Sequence, residues 1–416
     1  MKKNAILCVG CGYLQVPFIM EAKYLDLFVI GTDVNKNAIG CQIVDEFVQI
    51  DTYDTQAHHE LGKRLKTDKR FNILGVATCG SDTAPSVAAA AAAAQVPGIP
   101  LEIARLTHDK RAVRDALEDA GLNCYQPAWE EYDSSLPAYG PDLHYQGPFP
   151  CIIKPSEERA SRGVTIIRSE EDWLAGMEKV KPYGDVYLVE ELLAGTEHST
   201  EVIFGNDGEV LFFNIVDRYF DYRSGVPIEK GHINPTLLDD HAQQTILLMV
   251  LAAAKALGVS WGPFKIDLML TKDGPKILEV CARLSGGYDS QWSSPITNRH
   301  PMRILLRLAC GLPVEAEKPI QDAEGYGAVA AILQTHAGVL QHLRVPGVAF
   351  ADANCRRDVY KDRGVILNVL PGDVIAPLDH NAARAGFVRV HGIDYWNTWK
   401  TAEAIAQTIT ESMEIT

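Results

Sequence analysis

The sequence predicts an α/β region with a parallel, doubly wound sheet over about its first hundred residues, followed by an α+β region. Three observations predict it. Short apolar runs alternate with helix-length segments through the first part, the pattern of consecutive βαβ units. A loop rich in Pro, Tyr and Gly, Tyr132–Pro150, then breaks the alternation. Beyond it, strand-like runs follow one another, and two of them flank a Lys272-Asp273-Gly274 turn as a β-hairpin.

The elements follow in order. Ala5–Val9 reads as a strand, Gly10–Gly12 as a turn and Leu14–Leu25 as a helix. Leu27–Thr32 is the second strand, ending at Asp33, and Phe47–Ile50 the third. Helix His58–Lys66 and strand Ile73–Thr78 come next, then helix Pro85–Gln95, whose alanine run Ala88–Ala94 allows close packing. Thr107 and Asp109 open a helix over Lys110–Ala120 that Gly121 ends. Strand Cys151–Lys154 begins the α+β region, which runs to about Gly311. Short strands Ala328–Leu333 and Val365–Val369 and a helix from Thr401 to about Met413 fill the last hundred residues. Three domains are expected, at 1–108, 109–310 and 311–416.

Composition narrows the function. The 416 residues carry 39 Lys+Arg against 54 Asp+Glu, a net charge of −15 with no block of like charge. So acidic a chain is poorly suited to following a phosphate backbone, and no nucleic-acid partner is expected. No apolar run approaches ~18 residues, so no membrane span is expected, and the N-terminal apolar run lacks a cleavage pattern. The nine cysteines form no disulfide framework, which fits a reducing cytoplasm. Cys8 and Cys11 match a CxxC spacing, but no second pair or nearby His completes a zinc site.

Gly10-Cys11-Gly12 after a strand, with Asp33 ending the next, is half of a dinucleotide fingerprint. Gln15 stands where the third glycine belongs, so NAD binding is kept as a rival reading.

The hairpin carries more chemistry. Pairing centred on Asp273 sets Asp267 opposite Glu279, Cβ atoms ~5 Å apart. Two carboxylates so close call for a cation, and Mg²⁺ takes one or two carboxylates plus substrate phosphates. Alternation puts Glu279, Cys281 and Arg283 on the same face as Lys265 and Asp267. Arg283 offers a bidentate fork to a phosphoryl group. Upstream, Lys154 ends an apolar strand, and Ala160-Ser161-Arg162-Gly163-Val164 is a small-residue loop suited to folding over phosphates. Glu190, Glu191 and Glu197 then follow on a strand and its continuation.

In this order the motifs resemble the ATP-grasp superfamily over nearly the whole chain. The resemblance implies an ATP-grasp fold: an N-terminal α/β domain, a mobile lid at about 151–192 and a C-terminal lobe with the metal-binding hairpin. It implies Lys110 and Lys154 on ATP phosphates, Ser161, Gly163 and Val164 in the lid loop, and Glu190 with the Glu191–Leu193 backbone at adenine. Glu197 would bind ribose, Asp267 and Glu279 would hold Mg²⁺ or Mn²⁺, one or two ions, and Arg283 would stabilise an acyl phosphate, with Lys154 and Lys265 as further catalytic cations. Many members have Asn where this chain has Cys281, and a neutral thiol suits Mg²⁺ poorly. The chain is similar in this to bacterial L-amino acid ligases, and Lys230–Pro235 resembles their substrate-side loop.

The implied activity is ATP-dependent ligation of a small-molecule carboxylate to an amine, with an amino acid as substrate, in a cytoplasmic homodimer. A bicarbonate-using enzyme of the same fold is the alternative, lowered by the lack of a biotin-carrier segment or tandem repeat. Further substrate contacts are expected from loops Asp221–Pro227 and Tyr288–Arg299.

Overall fold

The computed structural model describes residues 2–135, 147–222, 225–288, 300–314, 325–345 and 364–416. The N-terminal region alternates as expected: β1 (Lys3–Val9), α1 (Val16–Tyr24), β2 (Phe28–Asp33), β3 (Glu46–Gln49), α2 (Thr55–Thr67), β4 (Phe71–Ala77) and α3 (Ala84–Ala94). Its strands pair in parallel in the order β3-β2-β1-β4. Their fully buried apolar runs need helices on both faces, which the crossovers supply. Asp54 caps α2, its side chain accepting from the Ala57 amide at 2.8 Å. Gly62 of α2 lies so close to α3 that an added Cβ would come within 2.4 Å of the Ala90 carbonyl oxygen. The alanine run is thus a packing surface.

A short helix α4 (Leu101–Leu106), not expected from the sequence, leads into α5 (Lys110–Asp119). Asp109 caps α5, accepting from the Arg111 amide at 2.9 Å. A second sheet, β5-β8-β6-β7, is antiparallel and built from β5 (Trp129–Asp133), β6 (Cys151–Pro155), β7 (Thr165–Ile167) and β8 (Val186–Glu191), with α6 (Trp173–Val180) packed on it.

The largest sheet has eight antiparallel strands in the order β13-β12-β9-β10-β11-β14-β18-β16. Its members are β9 (Thr196–Phe204), β10 (Val210–Asp221), β11 (Ile228–Asn234), β12 (Gly262–Thr271), β13 (Gly274–Cys281), β14 (Tyr326–Ile332), β16 (Val365–Leu367) and β18 (Gly386–Gly392). Helices α7 (Asp240–Ala256) and α8 (Pro301–Ala309) lie between the strands in sequence. A small sheet of β15 (Gly338–His342), β17 (Val374–Ile375) and β19 (Glu414–Ile415) closes the C-terminal part. No break in the large sheet falls near residue 311: β14 pairs with β11 from Gly231↔Ala330 to Asn234↔Gly327. The last helix, α9 (Tyr395–Glu411), starts earlier than the sequence suggested, because Asp394 caps it and Tyr395 and Trp399 are core residues.

Within the hairpin, Asp267 pairs with Glu279 in the expected register about Asp273, which holds from Lys265↔Cys281 to Asp267↔Glu279 but not at the turn. The turn closes tightly, with Thr271 opposite Gly274, and a bulge between Leu268 and Asp267 shifts the register by one. The bulged residue, Leu278, turns its carbonyl to the Arg114 guanidinium at 3.2 Å.

Candidate active site

Three of the four sheets converge on one cavity of about 680 Å³. It is lined by every residue that the resemblance assigned to ATP, metal or catalysis except Gly163, whose neighbours Arg162 and Val164 line it; Cys281 does not line it. Gly163 has φ +68°, and an added Cβ would come within 2.6 Å of the Tyr183 ring, so only glycine lets the loop lie this close.

Lys154, next to last in β6, holds its ammonium 2.6 Å from the Glu190 carboxylate. Glu190 is 1% exposed and also accepts from Arg114 Nε at 2.9 Å. Burial alone would raise its pKa, but Arg114 and Lys154 outweigh burial and lower it. The expected adenine contact of the Glu190 side chain does not suit this geometry, because its oxygens are engaged by Arg114 and Lys154. Glu191 is tied to the strand edge, its amide donating to Ala128 O at 3.0 Å and its carboxylate accepting from Ala128 N at 2.9 Å.

The hairpin carboxylates each meet cations. Asp267 is paired with Lys265 and, at 2.9 Å, with Arg218. Burial opposes ionisation of Asp267, and Arg218 and Lys265 overcome it, so its pKa is lowered. Burial likewise works against the Lys265 ammonium, and Asp267 reverses that and raises it. Glu279 sits 3.2 Å from Lys110. Lys110 is pushed down to about 8, by burial first and Arg159 next, against the pull of Glu279. Glu197 is raised to about 7 by burial, with Asp267 and Glu229 adding repulsion that Arg218 (3.2 Å) and the Tyr222 hydroxyl (3.0 Å) only partly relieve.

Cys281 is buried, and burial pushes its thiol up to about 12. It is therefore neutral at pH 7, and a neutral thiol is a poor ligand for a hard cation. Among the described residues no group of three or more His, Cys, Asp and Glu side chains could hold a metal. Two facing carboxylates beside lysines and arginines fit a cation shared with a polyphosphate, not an all-protein cage.

Residues 147–291 match the family model described as ATP-grasp domain. The chain contains an ATP-grasp domain. It is an ATP-dependent ligase of the carbon–nitrogen bond-forming kind. It is 27% identical over 271 residues to the D-alanine–D-alanine ligase of Halalkalibacterium halodurans, an alignment spanning 63% of this chain and 80% of that one. It is 23% identical to carnosine synthase 1 of Mus musculus over 75% of this chain but 40% of that one. Among solved structures, the L-amino acid ligase from Bacillus licheniformis superposes with a TM-score of 0.76 at 21% identity, covering 100% of this chain and 98% of that one.

Several residues of the ATP-grasp cavity escaped the sequence reading. Asp82, after β4, accepts from Arg283 Nε at 2.7 Å, and so ties the N-terminal sheet to the hairpin strand's continuation. Arg283 holds the Asp82 carboxyl ionised well below its usual range, against burial. Position could have flagged it: ligands of parallel sheets bind beyond the carboxyl ends of the strands. Arg218 is the hub of the acids, bonding Glu197, Asp267 and, at 3.1 Å, Glu229. A charged residue inside the apolar run of β10 was its signal. Asn381 and Arg384, from the C-terminal part, also line the cavity, and nothing local in the sequence marks them.

Other expectations fare differently. Lys230–Pro235 is not a loop: it lies largely within β11, where Lys230 pairs with Glu403 of α9, while Glu229 lines the cavity. The Gly10–Gly12 turn offers no space for a dinucleotide. Gln15 folds over it, donating to Cys79 O and lying 3.3 Å from where a Cβ on Gly10 would be. Asp33 is spent on the turn itself, accepting from the Cys11 amide at 2.9 Å. Of the two expected substrate loops, residues 223–224 and 289–299 lie outside the described residues. No helix is long and apolar enough to cross a membrane among the described residues. The described cysteines are all free.

Proposed function

We propose that this ATP-grasp chain joins a small-molecule carboxylate, that of an amino acid, to an amine through an acyl phosphate, releasing ADP and phosphate. The observation that carries the reading is the pairing of Asp267 with Glu279 in the same cavity as Lys110, Lys154 and Arg283. Such a site supplies positioning and charge neutralisation, which is nearly all that phosphoryl transfer needs.

Lys110 and Lys154 bind the ATP phosphates, and the Ser161–Val164 loop covers them. Glu190 holds Lys154 in place. Adenine meets the Glu191–Leu193 backbone, through the Glu191 carbonyl and Leu193, because the Glu191 amide is already bonded. Glu197 accepts from the ribose hydroxyls. Asp267 and Glu279 hold one Mg²⁺, with Mn²⁺ as a substitute; when bound it neutralises the phosphate oxygens. Cys281 leaves a second ion without a third protein ligand.

A substrate carboxylate oxygen attacks the γ-phosphorus in line, and the bond to the β-phosphate bridging oxygen breaks. Arg283, anchored by Asp82, faces the resulting acyl phosphate, and Lys265 adds charge to the same wall. The amine nitrogen then attacks the acyl carbon, phosphate leaves and the nitrogen gives up a proton. Water must be kept out until then, since it would hydrolyse the intermediate. The free, mostly buried cysteines suit a reducing cytoplasm.

The test is phosphate release from ATP, with and without Mg²⁺, over single and paired amino acids and bicarbonate. Release that needs an amino acid and Mg²⁺, with an amide product by mass, supports the reading. Release with bicarbonate alone would replace it.

A further inference from the structure

Loop 160–164 is expected to cover the phosphates, yet its own sheet does not hold its tip. Ala160 and Ser161 both have left-handed backbones, φ +56° and +62°, which non-glycine residues adopt in succession only when their surroundings impose it. What imposes it comes from the far end of the chain. The Asn381 amide nitrogen donates to Ala160 O at 2.8 Å, and Asn381 Nδ2 donates to Ser161 Oγ at 2.9 Å.

The same side chain also faces the acidic wall. Asn381 Oδ1 accepts from the Glu229 amide at 2.8 Å, and Nδ2 lies 3.5 Å from Pro227 O. Its carbonyl takes Arg384 Nε at 2.7 Å, and Arg384 pairs in turn with Glu229 at 3.2 Å. Glu229 leads through Arg218 to Asp267. One buried amide therefore joins the loop, strand β11 and the C-terminal part around one cavity. Asn is suited to this because it donates and accepts at one tip without bringing charge.

We propose that Asn381 is a positioning residue that latches the 160–164 loop over bound ATP and keeps water from the acyl phosphate. It touches neither reacting atom; it acts through Ser161 and Glu229. The inference rests on the proposed ligation only for its second half, so the test has one arm that needs no carboxylate substrate.

Arg162 lies within the loop, Arg159 and Arg168 flank it, and all three offer trypsin sites that report its closure. Wild type, Asn381→Ala and Ser161→Ala are digested with and without Mg-ATP, and cleavage at these arginines is timed by mass spectrometry. Nucleotide is expected to protect wild type tenfold or more and the variants less than threefold. In turnover with an amino acid pair that supports phosphate release, KM for ATP should rise several-fold in both variants. Phosphate released per amide formed should climb above the wild-type ratio. The double variant should add little to Asn381→Ala, since the two residues share one contact.

Equal protection of Asn381→Ala and wild type, with both folded by circular dichroism, overturns the latch. So would additive effects of the two substitutions. If wild type forms no amide with any pair, the ligation reading fails, and the digestion arm still decides the latch. Should Asn381→Ala not fold, Ser161→Ala and Asn381→Asp, which keeps the acceptor and loses the donor, answer the same question.

Discussion

Lys110 stands between Arg159, which disfavours its charge, and Glu279, which favours it, and burial brings its pKa to about 8. Below that pH it is an ammonium that attracts phosphates; above it the attraction is lost. Glu197, near 7, must be ionised to accept from ribose. The pH profile of kcat/KM for ATP should therefore be a bell, rising through about 7 and falling through about 8, and these values belong to the charged cluster as a whole. Lys110→Arg should remove the alkaline limb, because guanidinium stays charged; a limb that persists would remove Lys110 from the role. Arg283 is the second test at this scale. Arg283→Ala should lose about 10²–10³-fold in turnover, the usual magnitude for a lost oxyanion donor, with ATP affinity within about threefold. Equal loss of both would make Arg283 an ATP ligand. Position, not residue type, separates these cations: Lys154 spends its charge on Glu190, and Arg283 spends part of its own on Asp82.

Among elements, the hairpin shows how a right pairing can rest on a wrong geometry. Asp267 faces Glu279 because a bulge at Leu278 compensates for a tight turn, and a regular hairpin on that turn would have set the two carboxylates out of register. Alternation of side chains is legible in sequence; a bulge is not, since it answers to the Arg114 contact across the fold. Helix α3 is the opposite case, its alanines foretelling close packing that Gly62 of α2 completes. Gly62→Val should overpack that contact and cost ~1–3 kcal/mol. Thermal unfolding would show a lowered Tm with KM for ATP unchanged, because neither helix face touches the cavity. A changed KM with unchanged Tm would mean that α2 and α3 do more than support the sheet.

At the scale of the molecule, the three expected domains share their interiors. Phe18 and Ile19 of α1 pack with Ile203 of β9, Phe212 of β10 and Leu305 and Leu308 of α8 in one core. A chain lacking residues 1–108 would expose that cluster and lose Asp82 from Arg283. It should aggregate on expression instead of folding as an ATP-binding fragment. A soluble fragment that binds ATP with the intact chain's affinity would show that the N-terminal region is an independent unit. The C-terminal part is bound still more closely, since β14, β18 and β16 extend the same sheet as the hairpin.

The sequence by itself determined the βαβ start, the hairpin, the order of lysines, loop and acids, and hence the resemblance to the ATP-grasp superfamily. Each is a local pattern, either a period of alternation or a motif a few residues long, so no distant partner is needed to read it. Only the tertiary structure decided that Glu190 serves Lys154, that Arg218 gathers three acids, and that Asp82, Asn381 and Arg384 belong to the site. Those roles arise from charges and amides brought together across 11 to 220 residues of chain. In a buried cavity such groups are set by which partner relieves their desolvation, and that partner exists only once the sheets have converged.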